Sequence, residues 1–134
     1  MKNLAFLLLS CATLALSTTG CSKDDEDQAT PAVGPKDYLV EYRVSSTTNT
    51  SADYVAYGNE TGANTTLATT ALPQTFTFKR NMKRGDNLTV SASVPAGPAS
   101  SEITTSILLD GKEVKKTTAR GSGTLAVAVY VIGE

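Results

Sequence analysis

The chain has no histidine and no tryptophan in 134 residues, and only two cysteines. Lacking His, it lacks the usual general base of Ser and Cys hydrolases and the commonest metal ligand. Lacking Trp, it has no large aromatic platform for a sugar face, and only Tyr38, Tyr42, Tyr54, Tyr57 and Tyr130 could stand in. Two cysteines cannot build a disulfide framework of several bridges. Charge of either sign is also missing as an excess: 12 basic against 13 acidic residues leave a net of −1. Nucleic-acid binding needs a stronger positive field with stacking aromatics beside it, so no nucleic-acid partner is expected.

Long apolar runs are scarce as well. The longest, Leu4 to Leu16, has thirteen residues, whereas a helix needs about 20 to cross a hydrocarbon core. Lys2 before it and the small residues Ser17 to Gly20 after it complete the layout of a secretory signal, residues 1–20. Cys21 follows directly. LSTTGCS resembles a bacterial lipoprotein lipobox, in which the cysteine after Gly becomes the lipidated N-terminus; Thr18 stands where that motif expects Leu. Leu8-Leu9-Ser10-Cys11 fits the Leu rule better, but cutting there leaves an apolar region of only six residues and a mature end still apolar to Leu16. The resemblance therefore implies lipidation at Cys21, and with it a membrane contact through the N-terminal lipid. One acyl chain anchors marginally and two anchor stably.

Residues 21–37 read as a lipidated cysteine and an acidic, disordered tether. Lys23 and Lys36 face Asp24, Asp25, Glu26, Asp27 and Asp37, and Pro31, Gly34 and Pro35 oppose compact structure. The carboxylates lack the alternation, central Gly and distal Glu of a calcium loop, so no metal is assigned to them. The run Ser22, Lys23, Asp24, Asp25, Glu26, Asp27 instead resembles the acidic export signal of surface lipoproteins in the Bacteroidetes. That resemblance implies an outer-membrane lipoprotein facing outward, with a periplasm-facing protein as the alternative. The fifteen residues Ser22 to Lys36 reach at most about 50 Å when extended.

From Tyr38 onward the pattern changes to alternation of period two. Tyr38, Val40, Tyr42 and Val44 share one strand face, opposite Glu41, Arg43 and Ser45. Further strands are expected around Tyr54–Tyr57, Thr75–Lys79 and Leu88–Val94, each bounded by turn residues. Ile103–Leu109 and Lys112–Thr118 flank Asp110-Gly111, a pair suited to a type I′ hairpin turn. Thr124–Ile132, TLAVAVYVI, is apolar at both parities and predicts a strand covered on both sides. Ser46–Ser51 reads as a loop, and Ala63–Thr70 as a loop or a weak edge strand. About seven short strands and no helical periodicity predict a single all-β, antiparallel, immunoglobulin-like β-sandwich over residues 38–134. Ninety-seven residues suffice for a core without covalent staples.

The ordered pieces VEYRVSS, ADYVAYGNETG, ALPQTFTF, KRGDNLTVSASV and SEITTSILLDGKEVKK resemble the extracytoplasmic domain of the mycobacterial MmpS family. The similarity covers roughly Tyr38 to Ala119, and its most specific pieces are Leu72-Pro73 before a strand and the hairpin Leu109-Asp110-Gly111-Lys112-Glu113-Val114. Members of that family are transport accessory proteins of a large lipid and siderophore exporter, so the resemblance implies a sandwich in the envelope and a transporter as partner. This chain departs from the family in having Gln74 where a Trp follows Leu-Pro, no cysteines in the later strands, and a lipobox-like end in place of a membrane helix.

No catalytic set emerges. Ser106 and Lys112 lie on adjoining hairpin strands, but a Ser–Lys pair needs a buried or cation-flanked base. The scattered carboxylates Glu41, Asp53, Glu60, Glu102 and Glu113 have no spacing that pairs them for glycoside chemistry. Lys79, Arg80, Lys83 and Arg84 cluster around a turn as a candidate patch for an anionic partner; Lys112, Lys115, Lys116 and Arg120 form a second basic run, read as protection of an exposed sheet edge. The expectation is thus a non-enzymatic, lipid-anchored envelope protein without a cofactor, an accessory or binding module for another envelope component. The runner-up is a structural or adhesive surface lipoprotein that binds a glycan or an anionic ligand. Oligomeric state is not legible in these residues.

Overall fold

A computed structural model describes residues 34–134. Eight strands run in chain order: β1 (Lys36–Ser45), β2 (Ser51–Gly58), β3 (Asn64–Ala71), β4 (Gln74–Met82), β5 (Asn87–Ser93), β6 (Glu102–Leu109), β7 (Lys112–Arg120) and β8 (Leu125–Val131). They form two four-stranded sheets, β4-β1-β6-β7 and β3-β2-β5-β8, with every pairing antiparallel. The architecture is a β-sandwich, as the alternation predicts, with eight strands where about seven are expected.

The added strand is β3, the Thr-rich segment whose sequence fits either a loop or a weak edge strand. It lacks an apolar stripe because it is an edge strand, with only Thr65, Leu67 and Thr70 half-buried. The start also shifts. Lys36 and Asp37, assigned to the tether, belong to β1, where they pair with Met82 and Asn81.

Five of the seven connections cross between the sheets. Only β2–β3 and β6–β7 close as hairpins, the second through Asp110 (φ 50) and Gly111 (φ 81). Positive φ at both central positions is the type I′ geometry, whose twist matches that of the flanking strands. Just past the turn, Leu108 faces Glu113 while Ile107 faces Lys115, so Val114 is the extra residue of a bulge. The β3–β4 crossing is made by Leu72-Pro73 alone, joined by a cis peptide.

The core follows from parity. Val40, Tyr42 and Val44 of β1 and Ile103, Thr105 and Ile107 of β6 face inward from the first sheet, and Leu88, Val90 and Ala92 of β5 with Ala126 and Ala128 of β8 face inward from the second. All are fully buried. Aromatic rings pack within and across the layers: Tyr42 lies edge-on to Phe78 of neighbouring β4 at 5.7 Å and, across the sandwich, tilted against Tyr57 of β2 at 5.8 Å, while Tyr57 stacks on Phe76 at 4.3 Å. Such pairs contribute about 0.5–1.5 kcal/mol each beyond area burial.

The expectation for β8 is overturned. Ala126 and Ala128 are buried, but Leu125, Val127 and Val129 are 52%, 41% and 46% exposed. The strand is apolar on both faces yet covered on one, because it is the last strand of its sheet and no layer of the described residues lies over that sheet's outer side.

Candidate functional surface

Two features of this fold have chemistry attached, a clamp at the end where β1 begins and a segregation of charge between the two sheets.

The clamp grows out of the I′ turn. Asp110 tolerates φ > 0, and that conformation aims its carboxylate back at the start of β1. One oxygen accepts the Leu39 backbone N–H at 2.9 Å and the other accepts the Lys36 ammonium at 3.0 Å. The Asp110 N–H in turn donates to the Leu39 carbonyl at 2.9 Å. The Leu39 N–H, and then the Lys36 ammonium, hold the Asp110 carboxyl below its ordinary range, and the carboxylate raises the Lys36 ammonium in return. Lys36 also lies 4.7 Å from the centre of the Tyr38 ring. The chain's entry into the sandwich is therefore fastened to the β6–β7 hairpin. In the sequence Asp110 is legible as a turn former but not as an acceptor, since its partners stand 74 and 71 residues away.

The four cations of the predicted anionic-partner patch differ in exposure. Lys79 and Arg80 are consecutive in a strand and point to opposite faces: Lys79 is exposed, whereas Arg80 is half-buried and donates from Nη1 to the Asn87 carbonyl at 3.2 Å. Its guanidinium lies so close to Gly62 that a Cβ there would sit 2.8 Å from Nη2. Lys83 and Arg84 are exposed in the β4–β5 turn, where the Asp86 carboxylate accepts the Lys83 backbone N–H at 3.0 Å. One cation is thus engaged with the fold, and an acid sits among the rest. Cys21, Ser22, Lys23, Asp24, Asp25, Glu26 and Asp27 lie outside the described residues.

Ser106 is set between Arg43 of β1 and Lys116 of β7, while Lys112 pairs with Leu109 near the hairpin tip. Ser106 therefore neighbours Lys116 across the hairpin, and not Lys112. Glu41 pairs with Arg43, and Glu102 with Arg120 at 2.7 Å. Exposed pairs of this kind contribute about 0–1 kcal/mol each. Among the described residues no group of three or more carboxylates or thiols is placed to hold a metal ion.

Charge divides by sheet. The strands of the first sheet hold twelve charged residues in 36, among them Asp37, Glu41 and Arg43 of β1 and five on β7. The strands of the second hold one in 30, Asp53. Asp53 lies where the β2–β3 register skips a pair, opposite Thr69 at φ 44. The rows across the outer side of the second sheet read Ala68–Tyr54–Ser93–Leu125, then Thr66–Ala56–Ser91–Val127, then Thr89–Val129. That side is a neutral face of small and hydroxyl side chains, bordered along β8 by an exposed apolar stripe. Tyr54, 39% exposed, is the outward member of the Tyr54 and Tyr57 pair whose parities differ.

No protein-family model matches this chain, and no curated protein matches it.

Proposed function

We propose that the protein is a non-enzymatic, lipid-anchored envelope protein whose sandwich acts as an accessory or binding module for another envelope component. The observation that carries this reading is Cys21, placed directly after a signal-like segment and followed by the acidic run to Asp27. The start of β1 at Lys36, fifteen residues on, supports it, since a spacer of that length holds a small domain clear of lipid headgroups. Outward display at the outer membrane follows from the resemblance of Ser22–Asp27 to surface-export signals. A transport-accessory role follows from the resemblance to the MmpS family, and an exporter subunit is the partner it names.

The neutral side of the second sheet supports a role in contact over one in chemistry, because its rows of Thr, Ser, Ala and Val suit a broad protein surface. Metabolic labelling with a fatty-acid analogue tests the anchor: wild type incorporates label and Cys21→Ser does not. Equal incorporation in both would remove the lipid anchor from the proposal. Crosslinking in intact envelopes followed by purification tests the partner, and recovery of no transporter subunit would refute the transport role.

A further inference from the structure

We infer that β8 is a self-recognition strand, pairing antiparallel with β8 of a second copy so that the neutral sheet continues across a two-fold axis. The inference goes beyond the accessory role and does not depend on lipidation.

It rests first on the four sheet edges. A strand at an edge offers unpaired backbone groups to other chains unless charge, proline, a bulge or a break in register blocks it. β4 carries Lys79 and Arg80; β7 carries Lys112, Glu113, Lys115, Lys116 and Arg120 and is bulged at Val114. β3 is interrupted at Thr69. β8 has none of these devices. All seven of its residues pair in unbroken register with β5, no strand among the described residues is hydrogen-bonded to its other side, and it contains no charge and no proline.

The second support is the strand's own symmetry. With a two-fold axis at Ala128, Val127 meets the partner copy's position 129, Leu125 meets position 131, and Ala126 meets position 130. Every outward residue then faces an outward apolar residue, and every inward one an inward one. The stripe that is 41–52% exposed in one copy becomes a continuous apolar band across two. A two-fold axis sets a surface patch against its own copy, so a patch of one charge sign repels itself. A face whose rows hold no charge does not. Antiparallel edge pairing satisfies backbone donors and acceptors directly and leaves specificity to alternate side chains. One seven-residue pairing lies at the low end of interface sizes, the class of transient contacts, so association should depend on concentration.

The test places a photoreactive benzoylphenylalanine at Val127 of the full-length chain, with the same substitution at Thr77 on the outer side of the other sheet as control. Irradiation in cells should yield an adduct of two copies from position 127, mapping to residues 125–131 of the second copy, and not from position 77. Adding Val129→Lys should reduce that adduct at least tenfold. Should that variant fail to accumulate, Leu125→Lys, at the most exposed residue of the stripe, replaces it. Four outcomes overturn the inference: adducts only with residues 1–33 of the same chain, which would assign the stripe to the N-terminal segment; adducts only with a different protein; a two-copy adduct mapping outside β8; or an undiminished adduct in a folded lysine variant.

Discussion

Tyr42 provides the sharpest test of the core packing. Its side chain is fully buried at the junction of β1, β2 and β4, and its hydroxyl has no hydrogen-bond partner among the described residues. The Thr89 backbone is near but out of bonding geometry, and the oxygen would lie 3.7 Å from a Cβ at Gly58. Burying a hydroxyl without a partner costs about 1–3 kcal/mol. Tyr42→Phe removes the hydroxyl and keeps the ring contacts with Phe78 and Tyr57, so the variant should be more stable by about 1 kcal/mol at neutral pH. For a domain of this size that raises Tm by about 4–8 °C.

Alkali supplies an independent reading. Burial pushes the Tyr42 phenol from 10.0 up to about 12. Between those values the unfolded chain has released this proton and the native state still holds it, so native stability falls as pH rises from 10 to 12. At 1.36 kcal/mol per pH unit the loss reaches about 3 kcal/mol at the upper limit. The phenylalanine variant lacks that loss, so the stability difference between the two proteins should widen through this window while contributions from other groups cancel. Urea unfolding of both proteins at pH 7 and in steps from 9.5 to 12 measures it. A variant less stable by 1 kcal/mol or more at pH 7 would show that the hydroxyl makes a bond. Parallel pH curves would show that the phenol is not raised.

Two further outcomes are expected at the hairpin clamp. Because the Leu39 N–H and Lys36 depress the Asp110 carboxyl, its contribution is complete above about pH 4, near the ordinary Asp value, and is lost as pH falls through its native value below that. The urea midpoint of wild type should therefore drop on acidification more steeply than that of Asp110→Asn, and equal slopes would sever the clamp from stability. Gly111→Ala meets no atom within 4 Å but must hold φ near 81°, so it should cost about 1–2 kcal/mol through backbone strain alone, seen as a lower denaturation midpoint; an unchanged midpoint would refute the I′ assignment.

Much of this molecule was legible in one dimension because strand burial follows a local rule. Val40, Tyr42 and Val44 alternate with Glu41 and Arg43, and that parity alone assigns them to the core. Asp110-Gly111 states its own turn type, since few other pairs adopt positive φ twice in succession. Other properties are not local. The four cations at 79, 80, 83 and 84 are a cluster in sequence, but consecutive strand residues point apart, and the Asn87 carbonyl across the β4–β5 turn engages one of them. The clamp on Asp110 joins residues more than seventy positions apart.

The clearest division concerns TLAVAVYVI. Its composition determined that it would be a strand and that both of its faces would be apolar. Whether both would be covered depended on its neighbours, and five sheet-crossing connections leave β8 at an edge, with Ala126 and Ala128 in the core and Leu125, Val127 and Val129 in solvent. Likewise each strand's charge is written in the sequence, but only the pairing order gathers β2, β3, β5 and β8 into one sheet with a single charge, Asp53, and β1, β4, β6 and β7 into one charged sheet. Alternation reports what each residue prefers; which layer lies above it is set by pairings between distant segments, and no local pattern encodes those.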